Sequence, residues 1–548
     1  MCGIWAIFGA KQDVKPLSAN CARVAHRGPD AWRIESIHGL NNACLGFQRL
    51  AIIDSTYGMQ PMNLRTYPYL WLIYNGEIYN YQKLQQEFGY KYETCCDGEA
   101  IIHSYAKFGV KKTVEMLDGV FAFVIVDMKE KTVHLGRDVF GIRPMFTFFD
   151  QGTLGVCSEA KGLLNVPHAD GVLVQPFKPG HVQSLAINME GQVMWSESYP
   201  VVTVGGSDFN NVACLVPDDV YSNIRMLLKE AVKKRLISDR RIGCFLSGGL
   251  DSSLICALLA ECMKEEGIKY PLQTFSIGME GSPDVEAARI MSAYLNTEHH
   301  EVKFTREEGM QVIREVVYRL ESYDTMAIRD SIAMYLLSKY VKEKTDTIVV
   351  FSGEGSDELC QGYIHFHKAP SPDEADLESR RLLKELYLHD VLRADRMTAA
   401  HGLELRVPFL DKFFTSYFLS LPCAIRQPTN GVEKNLLRSA FSGTGLLPDQ
   451  ILWRPKEAFS DGVLAKEKSW YTLLQDELAS KVSTDAVEVA ALQFKTGVVP
   501  TSKEAYYFRV LFDEMFPGHA HFTPYYWMPK WTENASDPSP RALSYYKS

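Results

Sequence analysis

Arg241-Ile242-Gly243-Cys244-Phe245-Leu246, then Ser247-Gly248-Gly249-Leu250-Asp251-Ser252-Ser253, then Leu254–Met263 is the stretch on which the fold reading turns. The apolar opening reads as a buried strand and the apolar close as a helix, with a glycine turn between them. That arrangement cradles phosphate. Paired glycines let backbone N–H groups approach anionic oxygens, and the helix start adds partial positive charge. Ser247, Ser252 and Ser253 add hydroxyl donors. An aspartate inside an anion cradle is costly unless a cation joins it, so Asp251 implies Mg²⁺. The chain has no Gly-Lys dipeptide and no Gly-x-Gly-x-x-Gly, which excludes a Walker A loop and a dinucleotide fingerprint.

Working outward, Gln273–Ile277 reads as a strand ending at Gly278, the stretch around His300–Val302 as another, and Thr347–Phe351 as a third. The last ends at Ser352-Gly353-Glu354-Gly355-Ser356-Asp357-Glu358. Helical patterns over Val220–Leu236, Asp330–Val341 and Leu377–Arg396 lie among these strands. Strand alternating with helix predicts an α/β domain with a mainly parallel sheet, its ligands at the carboxyl ends of the strands. Both glycine-rich motifs sit at such ends and so face one pocket. There Asp357 would share the metal with Asp251, and Glu354 would face the reacting group.

Residues 2–200 have a different texture: short β-branched and aromatic runs at Leu45–Asp54, Tyr69–Tyr74, Val120–Asp127, Thr132–Arg137 and Leu154–Cys157, broken by Gly, Asn and Asp. They predict a β-rich α+β domain. Residues 201–217 read as a linker, 218–530 as the α/β domain, and 531–548 as a polar tail expected to be disordered. Net charge is −9 without a basic block, which argues against nucleic acid as a partner. No apolar run reaches the ~18 residues of a membrane span. Without a signal-peptide pattern at the start, and with twelve scattered cysteines lacking any Cys-x-x-Cys pair, the expected location is the cytosol. His299–His300 and His365/His367 have no matching ligand cluster nearby, so a zinc site is not expected there.

Cys2 follows the initiator methionine. Removal of Met1 would leave a thiol beside its own α-amine, a base of unperturbed pKa near ~7.7 that needs no separate histidine. A small residue opening a strand is the plain alternative. Further on come the charged turn Arg27-Gly28-Pro29-Asp30, Arg49 inside the apolar run Gly46–Asp54, the polar turn Tyr74–Asn80 and Asp97-Gly98-Glu99. An amino-acid amide substrate needs a cation for its carboxylate, an anion for its ammonium and donors for a tetrahedral oxyanion. Arg49, Asp97 and Asn75-Gly76 supply these three.

Cys2-Gly3-Ile4, Arg27–Asp30, Arg49-Leu50, Asn75-Gly76-Glu77 and Asp97-Gly98-Glu99, in that order, resemble the N-terminal-nucleophile glutaminase domain of class II amidotransferases. The resemblance implies a four-layer αββα sandwich, Cys2 as nucleophile, and Asn75 and Gly76 at the oxyanion hole. It implies glutamine held by Arg49, Glu77 and Asp97, with backbone from Leu50, Ala51, Ile52 and Ile53. Gln48 departs from relatives that carry a basic or imidazole side chain there.

Ser247–Ser253 is similar to the loop of ATP pyrophosphatases, which cleave between the α- and β-phosphates. Arg393–Arg396, His401–Asp411, Glu433–Arg438 and Trp453–Gly462 complete a resemblance to asparagine synthetases of the animal type, running from residue 2 to the end. It implies ATP, glutamine and aspartate as substrates and Mg²⁺ as metal. ATP would meet Leu246, Ser247, Gly248, Gly249, Asp251, Ser252, Ser253, Ile277, Ser352 and Gly353. Glu354 would assist attack by ammonia, and Lys456 would stabilise the reacting phosphate, with Lys434 a second candidate. The family also implies a sheltered ammonia route, and a homodimer is compatible with it. For aspartate, Arg329, Arg393 and Arg406 are candidates on charge alone. Two alternatives stand beside this reading: an amidotransferase acting on a different carboxylate, and a catalytically inactive scaffold or metabolite sensor.

Overall fold

The computed structural model describes residues 1–11, 17–167, 171–206, 215–216, 219–457, 462–463, 470–532 and 537–539. Most of the expected linker (207–214 and 217) and most of the expected tail (533–536 and 540–548) lie outside the described residues. The chain divides into two compact units. The first holds residues 1–206 with 237–240 and 399–404, and the second holds 207–236, 241–398 and 405–548.

In the first unit, one sheet has the order β2-β3-β1-β8-β7-β9. Its strands are β1 (Gly3–Phe8), β2 (Ala31–Glu35), β3 (Ala43–Arg49), β7 (Phe146–Asp150), β8 (Thr153–Cys157) and β9 (Gln175–Pro176). The other has the order β11-β10-β6-β5-β4, from β4 (Leu70–Ile78), β5 (Gly119–Asp127), β6 (Thr132–Arg137), β10 (His181–Ile187) and β11 (Val193–Pro200). Ile4, Ala6, Phe8, Leu45 and Phe47 of one sheet interleave with Ile73, Val124, Val126 and Leu135 of the other. Each large apolar side chain buried there contributes about 1.5–3 kcal/mol. The outer face of the second sheet packs Tyr74, Phe121 and Phe123 against α1 (Tyr81–Phe88) and α2 (Glu99–Met116). On the outer face of the first sheet the covering layer is a run of 3₁₀ turns over Ala19–Arg27.

Two local readings are corrected. The expected turn Tyr74–Asn80 begins only at Tyr79: β4 runs on to Ile78, with Asn75 opposite Ala122 and Gly76 opposite Phe121 on β5, and Tyr79 and Asn80 then turn. The Asn-Gly signal loses because these residues keep cross-strand partners; a Cβ on Gly76 would stand 2.0 Å from the Val120 carbonyl oxygen. Arg49 is also not mid-strand. It is the last residue of β3, and 50–54 leave as a loop.

The second unit is built on a sheet of order β14-β13-β12-β15-β16, from β12 (Arg241–Phe245), β13 (Gln273–Gly278), β14 (Glu298–Lys303), β15 (Thr347–Phe351) and β16 (Glu404–Arg406). β12, β13, β14 and β15 run parallel. The helices that position the site are α3 (Val220–Lys233), α4 (Leu250–Glu265), α5 (Pro283–Leu295), α6 (Arg306–Leu320), α7 (Thr325–Lys344) and α8 (Ser356–Leu359). Caps fix where they start. Thr305 and Glu308 form a capping box on α6, and the Asp324 carboxylate accepts from Ala327 N–H at the start of α7. The helix expected over Leu377–Arg396 is two helices, α9 (Pro372–Glu385) and α10 (Asp390–Ala399), broken at His389, whose φ −129° and ψ −102° fit no helix. Of the expected tail, Asp537 and Ser539 are buried, and Asp537 pairs with Arg329 of α7.

Candidate functional site

In the first unit, β1 and β3 pair with Gly3 opposite Gln48, which brings Cys2 beside the end of β3. Leu50 N–H points at Cys2 Sγ across 3.5 Å. Arg27 Nε donates to the Cys2 carbonyl at 2.9 Å, and Arg27 is itself paired with Glu159 at 2.7 Å. Burial is the main cause of a raised Cys2 pKa. Burial also lowers the Met1 amine to about 6 against the pull of Glu404. Asn75 is fully buried, and neither its amide nitrogen nor its oxygen has a hydrogen-bond partner among the described residues. Such a group costs about 1–3 kcal/mol and marks a place where a ligand supplies the missing bonds. Asp97 accepts from Tyr74 Oη and Ile78 N–H, both at 2.6 Å, and burial raises it to about 6 despite these donors. Arg49 donates to the carbonyls of Asp54 and Ser55. Within the expected backbone set, Ala51 N–H already donates to Asp30, and the Ile52 carbonyl accepts from Asp239 N–H. Gln48 turns to the Cys21 carbonyl and thiol.

The second unit holds a cavity of about 210 Å³ at the carboxyl ends of β12, β13 and β15. Leu246, Ser247, Gly249, Asp251, Ser252, Ile277, Ser352, Gly353, Glu354 and Asp357 all line it. The two glycine-rich loops meet there: a Cβ on Gly353 would lie 2.8 Å from Ser252 N, and Ser356 Oγ donates to Asp251 at 2.7 Å. Two expected members are off the wall. Gly248, at φ +74°, faces α5, where a Cβ would sit 2.5 Å from Ala288 N. Ser253 is fully buried beneath the loop.

Charged side chains from several elements meet at the cavity wall. Lys434 Nζ bridges Asp251 at 2.5 Å and Asp357 at 2.6 Å, and Lys456 Nζ reaches Asp357 at 2.6 Å. Burial alone would raise the Asp357 pKa, but the two ammonium groups overcome it and hold the carboxyl well below its usual range. Glu354 is the reverse case: burial lifts it to about 7 although Arg393 lies 2.9 Å away. Two carboxylates beside a phosphate loop, Asp251 and Asp357, suit Mg²⁺, which takes one or two carboxylates and completes its shell with substrate phosphates and water. Among the described residues no group of three or more His, Cys, Asp or Glu could hold a metal by itself.

The family model of asparagine synthase matches residues 223–378 and 369–538, and that of the glutamine amidotransferase domain matches residues 1–179. The glutamine-hydrolysing asparagine synthetase of Gallus gallus is 54% identical, with 100% of this chain and 99% of that protein covered. The chain belongs to the asparagine synthetase family. The same-named proteins of Bos taurus and Homo sapiens are 53% and 52% identical at the same coverage.

Of the three arginines that were candidates for aspartate on charge alone, the fold brings one to the cavity and uses two elsewhere. Arg329 is spent in buried ion pairs with Glu504 and Asp537. Arg406 is buried away from the cavity and donates to the Arg235 carbonyl. Only Arg393 reaches the cavity wall. Sequence reasoning missed several other wall residues. Asp330 and Met334 come from α7, Asp390 opens α10, Glu433 and Arg438 flank Lys434, and Trp527 is held by its N–H to Asp324 at 2.7 Å. An acidic residue at a helix start, such as Asp390, was the one signal available in sequence. Part of the Trp453–Gly462 motif, residues 458–461, lies outside the described residues.

Proposed function

We propose that the protein makes L-asparagine from L-aspartate, taking nitrogen from L-glutamine and releasing AMP, pyrophosphate and L-glutamate. The ion-pair cluster of Asp251, Asp357, Lys434 and Lys456 beside the phosphate loop carries this reading. We assign glutamine hydrolysis to residues 2–200 and the ATP-dependent step to residues 218–530.

In the first step Cys2 Sγ attacks the glutamine amide carbon, with its own α-amine as base once Met1 is gone; ammonia leaves with the transferred proton, and water cleaves the resulting thioester to release glutamate. The unpartnered Asn75 amide and the Gly76 backbone donate to the oxyanion. Arg49, Glu77 and Asp97 hold the α-carboxylate and α-ammonium. In the second step the aspartate β-carboxylate attacks the α-phosphorus of ATP, and pyrophosphate leaves. Asp251 and Asp357 would hold Mg²⁺, which offsets the charge of the departing pyrophosphate. The two lysines divide the remaining work. Lys434, 1% exposed, ties the two carboxylates together, and Lys456, 30% exposed and paired with Asp357, is the one with room to reach a phosphate oxygen. Leu246 and Ile277 flank the adenine. Ammonia then attacks the acyl carbon and AMP departs. Glu354, with a pKa of about 7, accepts the proton that the attacking nitrogen loses. The eleven described cysteines are free thiols, which suits a reducing compartment such as the cytosol.

The test is incubation of the purified protein with Mg-ATP, aspartate and amide-¹⁵N glutamine, read by mass spectrometry. Labelled asparagine with equimolar AMP and pyrophosphate is the expected result. Glutamate and ammonia without asparagine would leave only the first step standing and point to a different carboxylate acceptor.

A further inference from the structure

Lys434 and Lys456 meet at one carboxylate, yet they come from separate segments, and one side chain connects them. Glu433 Oε1 accepts the backbone N–H of Lys456 at 3.0 Å, and the same oxygen takes Arg438 Nη2. Arg438 in turn donates from Nε to the Glu433 carbonyl at 2.9 Å and from Nη1 to the Leu452 carbonyl at 2.5 Å. Glu433 is 8% exposed and Arg438 2%. Between them Lys434 sits at φ +55°, ψ +30°, in the left-handed region a side chain rarely adopts. Such a conformation is strained and persists only where its surroundings enforce it. Here the enforcing groups are the Arg438 bonds on its flank and its own two carboxylate partners.

We propose that Glu433 is a positioning residue for the adenylating step: it fixes the spacing of Lys434 and Lys456 across Asp357, and so aims the Lys456 ammonium at the reacting phosphate. The inference rests on the ATP-dependent step assigned above. Glu433 needs no contact with ATP for this. Its carboxylate anchors the backbone of one lysine while its own backbone leads directly into the other. Without the anchor the Lys456 backbone is steadied from one side only, by the Arg454–Asp284 pair two residues earlier, and a displacement of about 1 Å at a reacting group lowers rate by about 100-fold.

The experiment compares Glu433→Ala and Glu433→Gln in the full-length chain by aspartate-dependent pyrophosphate release, with kcat and KM for ATP resolved. The glutamine side chain keeps an acceptor oxygen for Lys456 N–H, and the alanine side chain does not. Glu433→Ala should lose about 100-fold in kcat with KM for ATP changed less than about threefold, the signature of an interaction realised in the transition state. Glu433→Gln should recover most of that loss. A merely structural role would instead lower the unfolding midpoint and the active fraction, with kcat per active site unmoved. Retention of kcat by Glu433→Ala, or equal loss in both variants, overturns the proposal. If the alanine variant does not fold, Glu433→Gln decides: near-normal kcat supports the proposal and a 100-fold loss defeats it. A wild-type chain that releases no pyrophosphate with aspartate would sink the functional assignment itself.

Discussion

Replacing Gly362 by alanine tests the lysine–carboxylate cluster with a single methyl group. Gly362 closes the turn after α8 by donating its N–H to the Asp357 carbonyl at 2.9 Å. A Cβ at this position would stand 1.9 Å from Lys434 Cε and 2.2 Å from Asp357 Oδ1. Carbon atoms rest about 3.5–4.0 Å apart, so the lysine stem must withdraw by about 1.5 Å or more. It has little room to do so: Lys434 is 1% exposed and pinned by two ion pairs. The ammonium therefore leaves Asp357, Asp251 or both. Displacement on this scale costs about 100-fold or about 2.7 kcal/mol in the adenylating step. Overpacking adds about 1–3 kcal/mol of destabilisation. Pyrophosphate release with aspartate and Mg-ATP measures the first quantity and urea unfolding the second. Glutamine hydrolysis, assigned to the other unit, should be unaffected. A Gly362→Ala chain with pyrophosphate release within about threefold of normal would refute the reasoning, because the cluster would then tolerate a displaced lysine.

Three further outcomes are expected. With the concentration of unprotonated ammonia held constant, asparagine formation should rise with pH through about 7 and then level off, as Glu354 loses its proton and becomes the base; an unchanged inflection in Glu354→Gln would remove that role. Asn75→Ala should cut glutamine turnover by about 100- to 1000-fold while leaving the unfolding midpoint unchanged or higher, because the lost amide holds no hydrogen bond among the described residues. Arg329→Met should cost about 3–5 kcal/mol in urea unfolding, since Glu504 and Asp537 are left buried and unpaired; a loss under about 1 kcal/mol would show the triad to be dispensable.

Short-range features were legible in the sequence because their physics is local. The strand Thr347–Phe351 and the strand Thr132–Arg137 fall on the residues their β-branched runs predicted. The phosphate loop was readable for the same reason: strand, glycines and helix follow one another directly, and Asp251 lies within it. Where local signals misled, longer-range contacts had overruled them. Asn75-Gly76 carries the composition of a hairpin turn, but nine paired positions between β4 and β5 hold it in a strand. Leu377–Arg396 keeps a helical pattern throughout, yet the chain turns at His389, whose ring nitrogen meets Tyr525 Oη at 3.0 Å.

By itself the sequence determined the family, the parallel-sheet plan of the second unit, the order of the motifs and the nucleophile candidate, because each depends on residue types within one short window. Tertiary structure alone decided which distant charges meet. The two glycine-rich motifs at strand ends already placed Asp251 and Asp357 at one pocket, but nothing in the sequence announces that Lys434 bridges them, that Lys456 joins at Asp357, or that Glu433 ties the two lysines together. Arg329 and Arg406 look as available as Arg393 until their partners are seen. The reason is that burial sets the energy of a charge. A side chain exposed to water keeps its charge wherever it falls, whereas one taken into the interior must find its counter-ion among whatever the fold has brought beside it.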